Sequence, residues 1–518
     1  MVYNTAVMSN EGFIAEGAAG KQAGSLPGAR ILLLAAVGFT AAYLRIALAR
    51  VFYPYALDLV EEGMLMQAWR VAARQPVFVP PNADFVPQVY MPLYTRLGGL
   101  LLRITGPDFW PLRLLSLAAT LVTAVLIYCI GVREAKDKLV ALASAALFLA
   151  GYRLVGGWYD LARVDALFVA LTLAGMAAAV YGHRSNRGLA LAGWLMGLSL
   201  LTKQNGLFLA AVVGGYVLLA AGRRLWVYAA AFLLTTAVPL LSLEWASGGW
   251  FSYYVIDIAY ASPLTPGRVW HTLSREFAGG MGFLVLGSVG TAVLSWRHGW
   301  RWFLNPPWLL FIGAAAFVSV AGRASAGGNF NNLIPGYALL CLTPSLLAGQ
   351  LRRQPFPRPR RVYGLIVAGI LGQFLLTIFN PIPYKPARFI PTAAMRASGD
   401  WLVRELTAVD GDVLVLMHPS YALKAGKETA VHIQTLWHAR RRGQDPLPED
   451  FVRRIERQHY TLILSDESDY FEKDPALIVL LAAHYRQTRI LEEGESPPTL
   501  SGPVVRPLVV YAPIGSGY

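Results

Sequence analysis

The sequence is short of charge. Asp, Glu, Lys and Arg supply 15% of its 518 residues, where soluble chains carry about 25%. Hydrophobic residues supply 55%, and mean hydropathy is +0.45. Soluble globular, disordered and collagenous classes are thereby excluded, and a polytopic membrane protein is indicated. Cysteine is scarce too. Cys129 and Cys341 both lie inside apolar runs, which excludes a disulfide framework and a cysteine-based zinc site. The eight histidines form no cluster. Even "HTLSRE" at 271–276, with His271 and Glu276, lacks a third ligand and metal spacing. There is no internal repeat and no inverted symmetry between the halves. The first apolar run begins only near Arg30, so a cleaved signal peptide is not expected.

What the sequence does have is apolar runs. Eleven are read as spans: 31–50, 113–132, 138–151, 164–182, 188–202, 206–221, 225–243, 277–296, 306–321, 333–350 and 361–380. Basic residues recur at alternate connections: Lys21 with Arg30, "REAKDK" at 133–138, "HRSNR" at 183–187, Arg223 with Arg224, Arg297 with Arg301, and "RRQPFPRPRR" at 352–361. The positive-inside rule places these in the cytoplasm. Joining 188–202 to 206–221 would put two basic clusters outside, so the chain is expected to turn at Lys203-Gln204-Asn205. The net charge of +14 then reflects orientation and implies no nucleic-acid partner.

This topology gives a cytoplasmic N-terminal segment 1–29, a transmembrane unit 30–380 whose first outer loop is 51–112, and an extracytoplasmic domain 381–518. In the last, strand-like "DVLVLM" at 412–417, "YTLILS" at 460–465 and "LVVYA" at 508–512 alternate with helical stretches near 391–407, 448–458 and 474–485. That alternation predicts a small α/β domain. Within the loop, 57–73 and 93–104 read as amphipathic helices on the bilayer surface. The second carries Leu93, Leu97, Leu100, Leu101 and Ile104 on one stripe, with Arg96 and Arg103 on another face.

Four places could carry chemistry. In "YPYALDLVEEGMLMQAWR" at 53–70, Asp58, Glu61 and Glu62 fall at i, i+3 and i+4, so on a helix their carboxylates share a face. Clustered acids near low dielectric suit a general base or a divalent-cation site. The same spacing also fits a capping box, Asp58 at the N-cap and Glu61 at N3. In "GWYDLARVDALFVAL" at 157–171, Asp160, Arg163 and Asp165 stand at the mouth of a span, where ionisable groups are costly enough to suggest function. Pairing of Arg163 with Asp160 is the plainer reading. Lys203 in "LTKQNG" is a cation on the acidic side; a bound anion such as a lipid phosphate would explain it, and a plain turn lysine is the alternative. Last, "GRASAGGNFNNLIP" at 322–335 offers Arg323, Asn329, Asn331 and Asn332, with glycines that admit an anion and amides that suit sugar hydroxyls.

Together, "DLVEEG", "VYMPLYTRLGGLLLRITG", "RLLSLAATL" at 113–121, "ARVDALFVAL" at 162–171, "LTKQNG" and "GGNFNNLIP" resemble the GT-C glycosyltransferases, specifically the family 39 protein O-mannosyltransferases and the aminoarabinose transferase of lipid A. The resemblance covers roughly residues 50–340. It implies an α-helical polytopic fold with surface helices around a cavity, and a sugar donor on a polyprenyl phosphate. It also implies an inverting transfer to a hydroxyl of a cell-envelope glycan, lipid or protein at the outer face of a bacterial-type inner membrane. Carried over by position, Asp58 would be the base, with Glu61 or Glu62 assisting. Lys203, Arg163, Arg113 and Arg323 would meet the donor phosphate, and Asp165, Asp160, Tyr90, Gln204, Asn329, Asn331 and Asn332 would line the substrate site. A divalent cation, Mg or Mn, would fall to Asp58 and Glu62 if one is used. The family often has adjacent Asp-Glu here, whereas Asp58 stands three residues before Glu61, so all three acids stay open as the base. A lipid or solute transporter, or flippase, is the main alternative, and a non-catalytic sensor or assembly subunit a third. The first fits intramembrane charge but not the missing repeats; the second leaves the acidic triplet unexplained.

Overall fold

The structure is a computed structural model, and it describes residues 27–261, 263–296, 307–353, 359–379, 385–466 and 474–515. Nearly all of the segment 1–29, together with Arg297, Arg301 and part of 352–361, lies outside these residues. Helices occupy all eleven apolar runs, as expected where each backbone N–H and C=O must be satisfied within its own segment. In order they are α1 (Pro27–Val51), the loop helices α2 (Leu59–Ala72) and α3 (Leu93–Thr105), then α4 (Trp110–Ala135), α5 (Lys138–Ala150), α6 (Asp165–Gly182), α7 (Asn186–Thr202), α8 (Gly206–Ala221) and α9 (Leu225–Ser247). A largely π-helical stretch follows, Tyr253–Ile258 and Thr272–Gly280. After it come α10 (Gly282–Trp296), α11 (Trp308–Ala324), the pair Ile334–Leu340 and α12 (Thr343–Arg352), and α13 (Pro359–Phe379).

By length and composition, six helical stretches among the described residues can cross a membrane, or seven if the pair Pro266–Gly280 and Gly282–Trp296, bent by 91°, is one span. That is fewer than eleven because several helices are short. For example, α5 has 13 residues where a crossing needs about 20. The 42-residue stretch Gly206–Ser247 is not straight. The Tyr228 hydroxyl donates to the carbonyl of Ala210 at 2.7 Å, 18 positions away, so the chain turns back at Gly222, whose φ is +58°.

Close packing fixes the directions of the helices. The Thr172 and Ser199 hydroxyls meet at 2.7 Å, and a Cβ on Gly188 would stand 2.5 Å from Gly182 Cα, so α6 and α7 run antiparallel. Along α7, Gly193 faces Tyr228 and Gly197 faces Thr235, making α7 and α9 parallel with α8 reversed between them. The chain therefore does turn at Lys203-Gln204-Asn205. Gly188→Val places carbon against backbone that cannot yield, and we expect it to destabilise the fold by about 1–3 kcal/mol. Thermal unfolding in detergent would read this, and an unchanged midpoint would show that the α6–α7 contact can relax.

The alternation sorts the charges by end. Arg133, His183, Arg184, Arg224 and Arg352 gather at one end of the helices. There Arg352 pairs with Asp137 at 2.8 Å, Arg224 donates to the Arg184 carbonyl, and Arg133 lies over Tyr181. Asp58, Arg113, Asp165 and Lys203 sit at the other end, at the start or finish of their helices.

Helix α14 (Ala393–Ala408) leads into a four-stranded sheet of β1 (Asp412–Val415), β2 (Tyr460–Ser465), β3 (Tyr485–Ile490) and β4 (Val509–Pro513), in the order β1-β2-β4-β3. β1 and β2 are parallel and the other pairs antiparallel. This sheet shares a core with α2: Leu59, Met64, Leu65 and Ala68 cluster with Val431, Ile433, Leu436, Phe451 and Ile463. Helix α2 is thus buried between the bundle and the sheet, not laid on a bilayer. Helix α3 keeps the expected character, with Leu100, Leu101 and Ile104 exposed, the last at 86%, beside exposed Arg96 and Arg103.

Candidate active site

The three acids of the first loop do not share a face. Asp58 is the N-cap of α2, in extended backbone, and one oxygen accepts from the Val60 amide at 3.1 Å. It precedes the helix, so its side chain leaves in a different direction from those of Glu61 and Glu62. Asp58 thus caps the helix, but Glu61 accepts from the Leu57 amide and not from that of Asp58, so only the N-cap half of the capping box forms, and Asp58 is also engaged elsewhere. Arg163 Nη1 donates to Oδ1 at 2.7 Å and Trp158 Nε1 to Oδ2 at 3.1 Å. A Cβ on Gly502 would lie 2.6 Å from Oδ2. Burial lifts the Asp58 carboxyl above its usual range, against the opposing pull of Arg163.

Glu61 is a structural group. Burial alone would raise its carboxyl, but the Arg113 guanidinium and amide hydrogen bonds from Ala162 and Leu57 outweigh that and bring it below the usual range. Arg113 reaches it with Nε at 2.9 Å and Nη2 at 2.7 Å. Its other N–H groups go to the carbonyls of Arg50, Tyr53 and Tyr55. All five guanidinium hydrogens are thereby used, so Arg113 pins the α1–α2 connection and has nothing left for a donor phosphate.

Glu62 faces the sheet. It accepts from the Ser420 amide at 3.0 Å and hydroxyl at 2.8 Å, and His418 Nδ1 lies 3.4 Å away. His418 Nε2 is 2.9 Å from Asp466. Asp58 and Glu62 thus have separate partners and form no shared cation site. Among the described residues no group of three or more His, Cys, Asp or Glu could hold a metal.

Burial opposes charge on His418, yet Asp466 and Glu62 prevail and push its pKa up to about 10 from 6.5. A pKa raised by folding gives stability that is complete below about pH 6.5 and lost as pH rises through about 10. We expect hydrogen exchange in the helix Pro419–Lys424 to report easier opening across that window, and His418→Gln to abolish the pH-dependent part. A flat profile in the wild type would mean that the clasp adds no stability.

Arg163 bridges two acids. Besides Asp58 it donates from Nε to Asp165 Oδ2 at 3.2 Å and from Nη2 to the Tyr90 hydroxyl at 3.4 Å, with its guanidinium 5.2 Å from the Trp158 ring. Asp165 Oδ1 accepts from Lys203 Nζ at 2.7 Å and Asn331 Nδ2 at 3.0 Å. Lys203 also reaches Asn332 Oδ1 at 3.4 Å. The result is a continuous buried chain, Trp158–Asp58–Arg163–Asp165–Lys203–Asn332. It draws on the α1–α2 connection, the segment before α6, the α7–α8 turn and the loop after α11.

Several expected members stand apart from it. Asp160 pairs with Arg50 at 3.3 Å and not with Arg163; Arg50 also donates to the Gly157 carbonyl and Ser501. Gln204 clamps the carbonyls of Val89 and Val255. Arg323 is committed to Glu276 at 2.8 Å and to the Gly328 carbonyl, and Asn329 caps Phe330–Leu333. Each is held by its nearest complementary group, which sequence spacing cannot show. Trp158, Arg50, His418 and Ser420 were not foreseen. Arg50, a charge closing an apolar helix, was the one readable signal among them.

Residues 91–245 match the profile of the family described as dolichyl-phosphate-mannose-protein mannosyltransferase. That stretch holds Arg113, Arg163, Asp165 and Lys203 and leaves Asp58 outside. Among solved structures, the chain is similar to ArnT from Cupriavidus metallidurans bound to undecaprenyl phosphate: 13% identity, TM-score 0.57, covering 92% of this chain and 97% of that one. The apo state of ArnT gives 13% identity and TM-score 0.58 over the same shares. The oligosaccharyltransferase of Archaeoglobus fulgidus in its apo form gives 12% and 0.51, over 89% of this chain and 73% of that one. At such identities the likeness is one of fold. No curated protein matches the sequence.

Proposed function

We propose that this chain, a glycosyltransferase of the GT-C superfamily, moves a sugar from a polyprenyl-phosphate donor to an acceptor hydroxyl, with inversion. The observation that carries the reading is the buried ion chain from Asp58 to Lys203 at one end of an apolar bundle. Buried carboxylates and cations in one line are costly to assemble, and this reaction needs both kinds of group. The acceptor oxygen attacks the anomeric carbon as the carbon–oxygen bond to phosphate breaks. The bonding pair leaves with the phosphate, and the hydroxyl proton passes to Asp58. Lys203 and Arg163 stabilise the charge that grows on the phosphate.

Supporting the lipid donor are the exposed Leu100, Leu101 and Ile104 of α3, which suit an interfacial helix beside the site. The sidedness we favour follows the basic clusters: they mark the cytoplasmic end, so the ion chain and sheet face the outside of a bacterial-type inner membrane. Asp58 and Glu62 do not fit a shared cation, and no step is assigned to a metal.

The test is release of polyprenyl phosphate from polyprenyl-phosphate sugars by purified protein in lipid nanodiscs. Lys203→Gln should lower kcat by about 10²- to 10³-fold. If the wild type consumes none of a panel of hexosyl and pentosyl donors, the reading fails and lipid transport becomes the better account.

A further inference from the structure

The connection between β3 and β4 leaves the C-terminal sheet and reaches the candidate base. Its tip closes on itself. The Thr499 amide donates to the Val505 carbonyl at 3.0 Å, the Val505 amide to Thr499 Oγ1 at 3.0 Å, and that hydroxyl to the Pro503 carbonyl at 2.8 Å. The strand of chain entering this turn is strapped to the first outer loop: the Leu500 and Ser501 amides both donate to the Leu57 carbonyl, at 3.0 and 2.9 Å, one residue before Asp58. Leu500 also packs against the main core of the bundle.

A second fastening comes from α1. Arg50 Nη2 donates to Ser501 Oγ at 3.1 Å and to the Gly157 carbonyl at 3.0 Å, and Ser501 Oγ donates to the same carbonyl at 3.3 Å. Gly157 precedes Trp158, which donates to Asp58 Oδ2. Ser501 precedes Gly502, which abuts that oxygen. One knot of Arg50, Ser501 and Gly157 therefore places both neighbours of Oδ2.

The contact at 502 admits no side chain. The φ of Gly502 is +71°, and a Cβ there would stand 2.6 Å from Asp58 Oδ2 and 3.0 Å from the Trp158 ring. Gly502 is exposed whereas Asp58 is 1% exposed, so on this side a single residue of backbone stands between the carboxylate and solvent. The charged groups that act on Asp58 are Arg163 and Glu61; residues 499–502 bring none. We propose that Ser501 and Gly502 are positioning residues for the transfer: this strap holds the Asp58 carboxylate in its bond with Trp158 and sets how much water reaches it. The C-terminal domain then completes the active site. The proposal rests on the reading of Asp58 as the base.

The experiment uses the full-length protein in lipid nanodiscs. It follows kcat on polyprenyl-phosphate sugars against pH, and the titration of the Asp58 carboxyl by infrared difference against Asp58→Asn. Gly502→Ala should push the carboxylate off Trp158 and lower kcat by about 10- to 10²-fold. It should also raise the pH at which the carboxyl titrates, since that hydrogen bond favours the charged form. Ser501→Ala should loosen the strap, admit water and lower that pH, since burial is what lifts it. Gly426→Ala controls for backbone strain, because Gly426 has φ +72° and open space around its Cβ position. It should lose thermal stability as Gly502→Ala does, with kcat and titration unchanged. Should Gly502→Ala not fold, the Ser501→Ala titration alone decides. A titration that neither variant moves, or that Gly426→Ala moves equally, overturns the proposal. If that happens in a protein that consumes the donor, the transferase reading stands. Titrations that move as expected in a protein that consumes no donor overturn that reading and leave the strap's hold on Asp58 in place.

Discussion

Replacing Asp58 with asparagine is expected to slow glycosyl transfer by about 10²- to 10⁴-fold, the usual loss when a positioned general base is removed. Asparagine keeps an oxygen for the Val60 amide, so the N-cap of α2 survives, and donor binding should change far less than turnover. Measured kcat and donor Kd separate these effects. An Asp58→Asn enzyme with full turnover would remove Asp58 as the base. The pull of Arg163 and the lift from burial act in opposite directions on this carboxyl. Removing the Trp158 hydrogen bond should accordingly move the pH profile while leaving turnover at its plateau.

Arg113→Ala is expected to cost about 3–5 kcal/mol of stability, because it strands the buried Glu61 carboxylate and three carbonyls at once. Lysine should not rescue it, since a single ammonium cannot reproduce the fork that grips both Glu61 oxygens. The double change Arg113→Met with Glu61→Leu should lose less than Arg113→Ala alone, because no charge is then left unpaired. Unfolding in detergent reads all three. A double variant weaker than the single would show that the amide hydrogen bonds Glu61 accepts from Leu57 and Ala162 outweigh the cost of its unpaired charge.

The fold was legible where hydropathy decides it. The turn at Lys203, the reversal near Gly222 and the strand "YTLILS" each follow from apolar runs broken by polar residues, and the structure has them in place. β3 was not legible: Arg486, Gln487, Thr488 and Arg489 form an exposed edge strand whose order comes from β4, and edge strands carry charge to resist further pairing. The site was legible in its types and not in its pairings. Asp58, Arg163, Asp165 and Lys203 were all named, yet spacing along one helix could not show that Glu61 and Glu62 turn to Arg113 and Ser420. Those partners lie 52 and 358 positions away.

The ion chain has an energetic consequence for the donor. Lys203 already holds Asp165, and Arg163 already holds both Asp165 and Asp58, so an incoming phosphate enters by exchange. Under the proposed function, its binding energy is the difference between new ion pairs and those it loosens, and differences of that kind are small. Tight capture must then come from the isoprenoid tail, through the apolar area it buries. The charges would then choose the headgroup, and the same exchange that admits the phosphate would draw Arg163 away from Asp58. On that reading the base would be released only with a lipid phosphate in place.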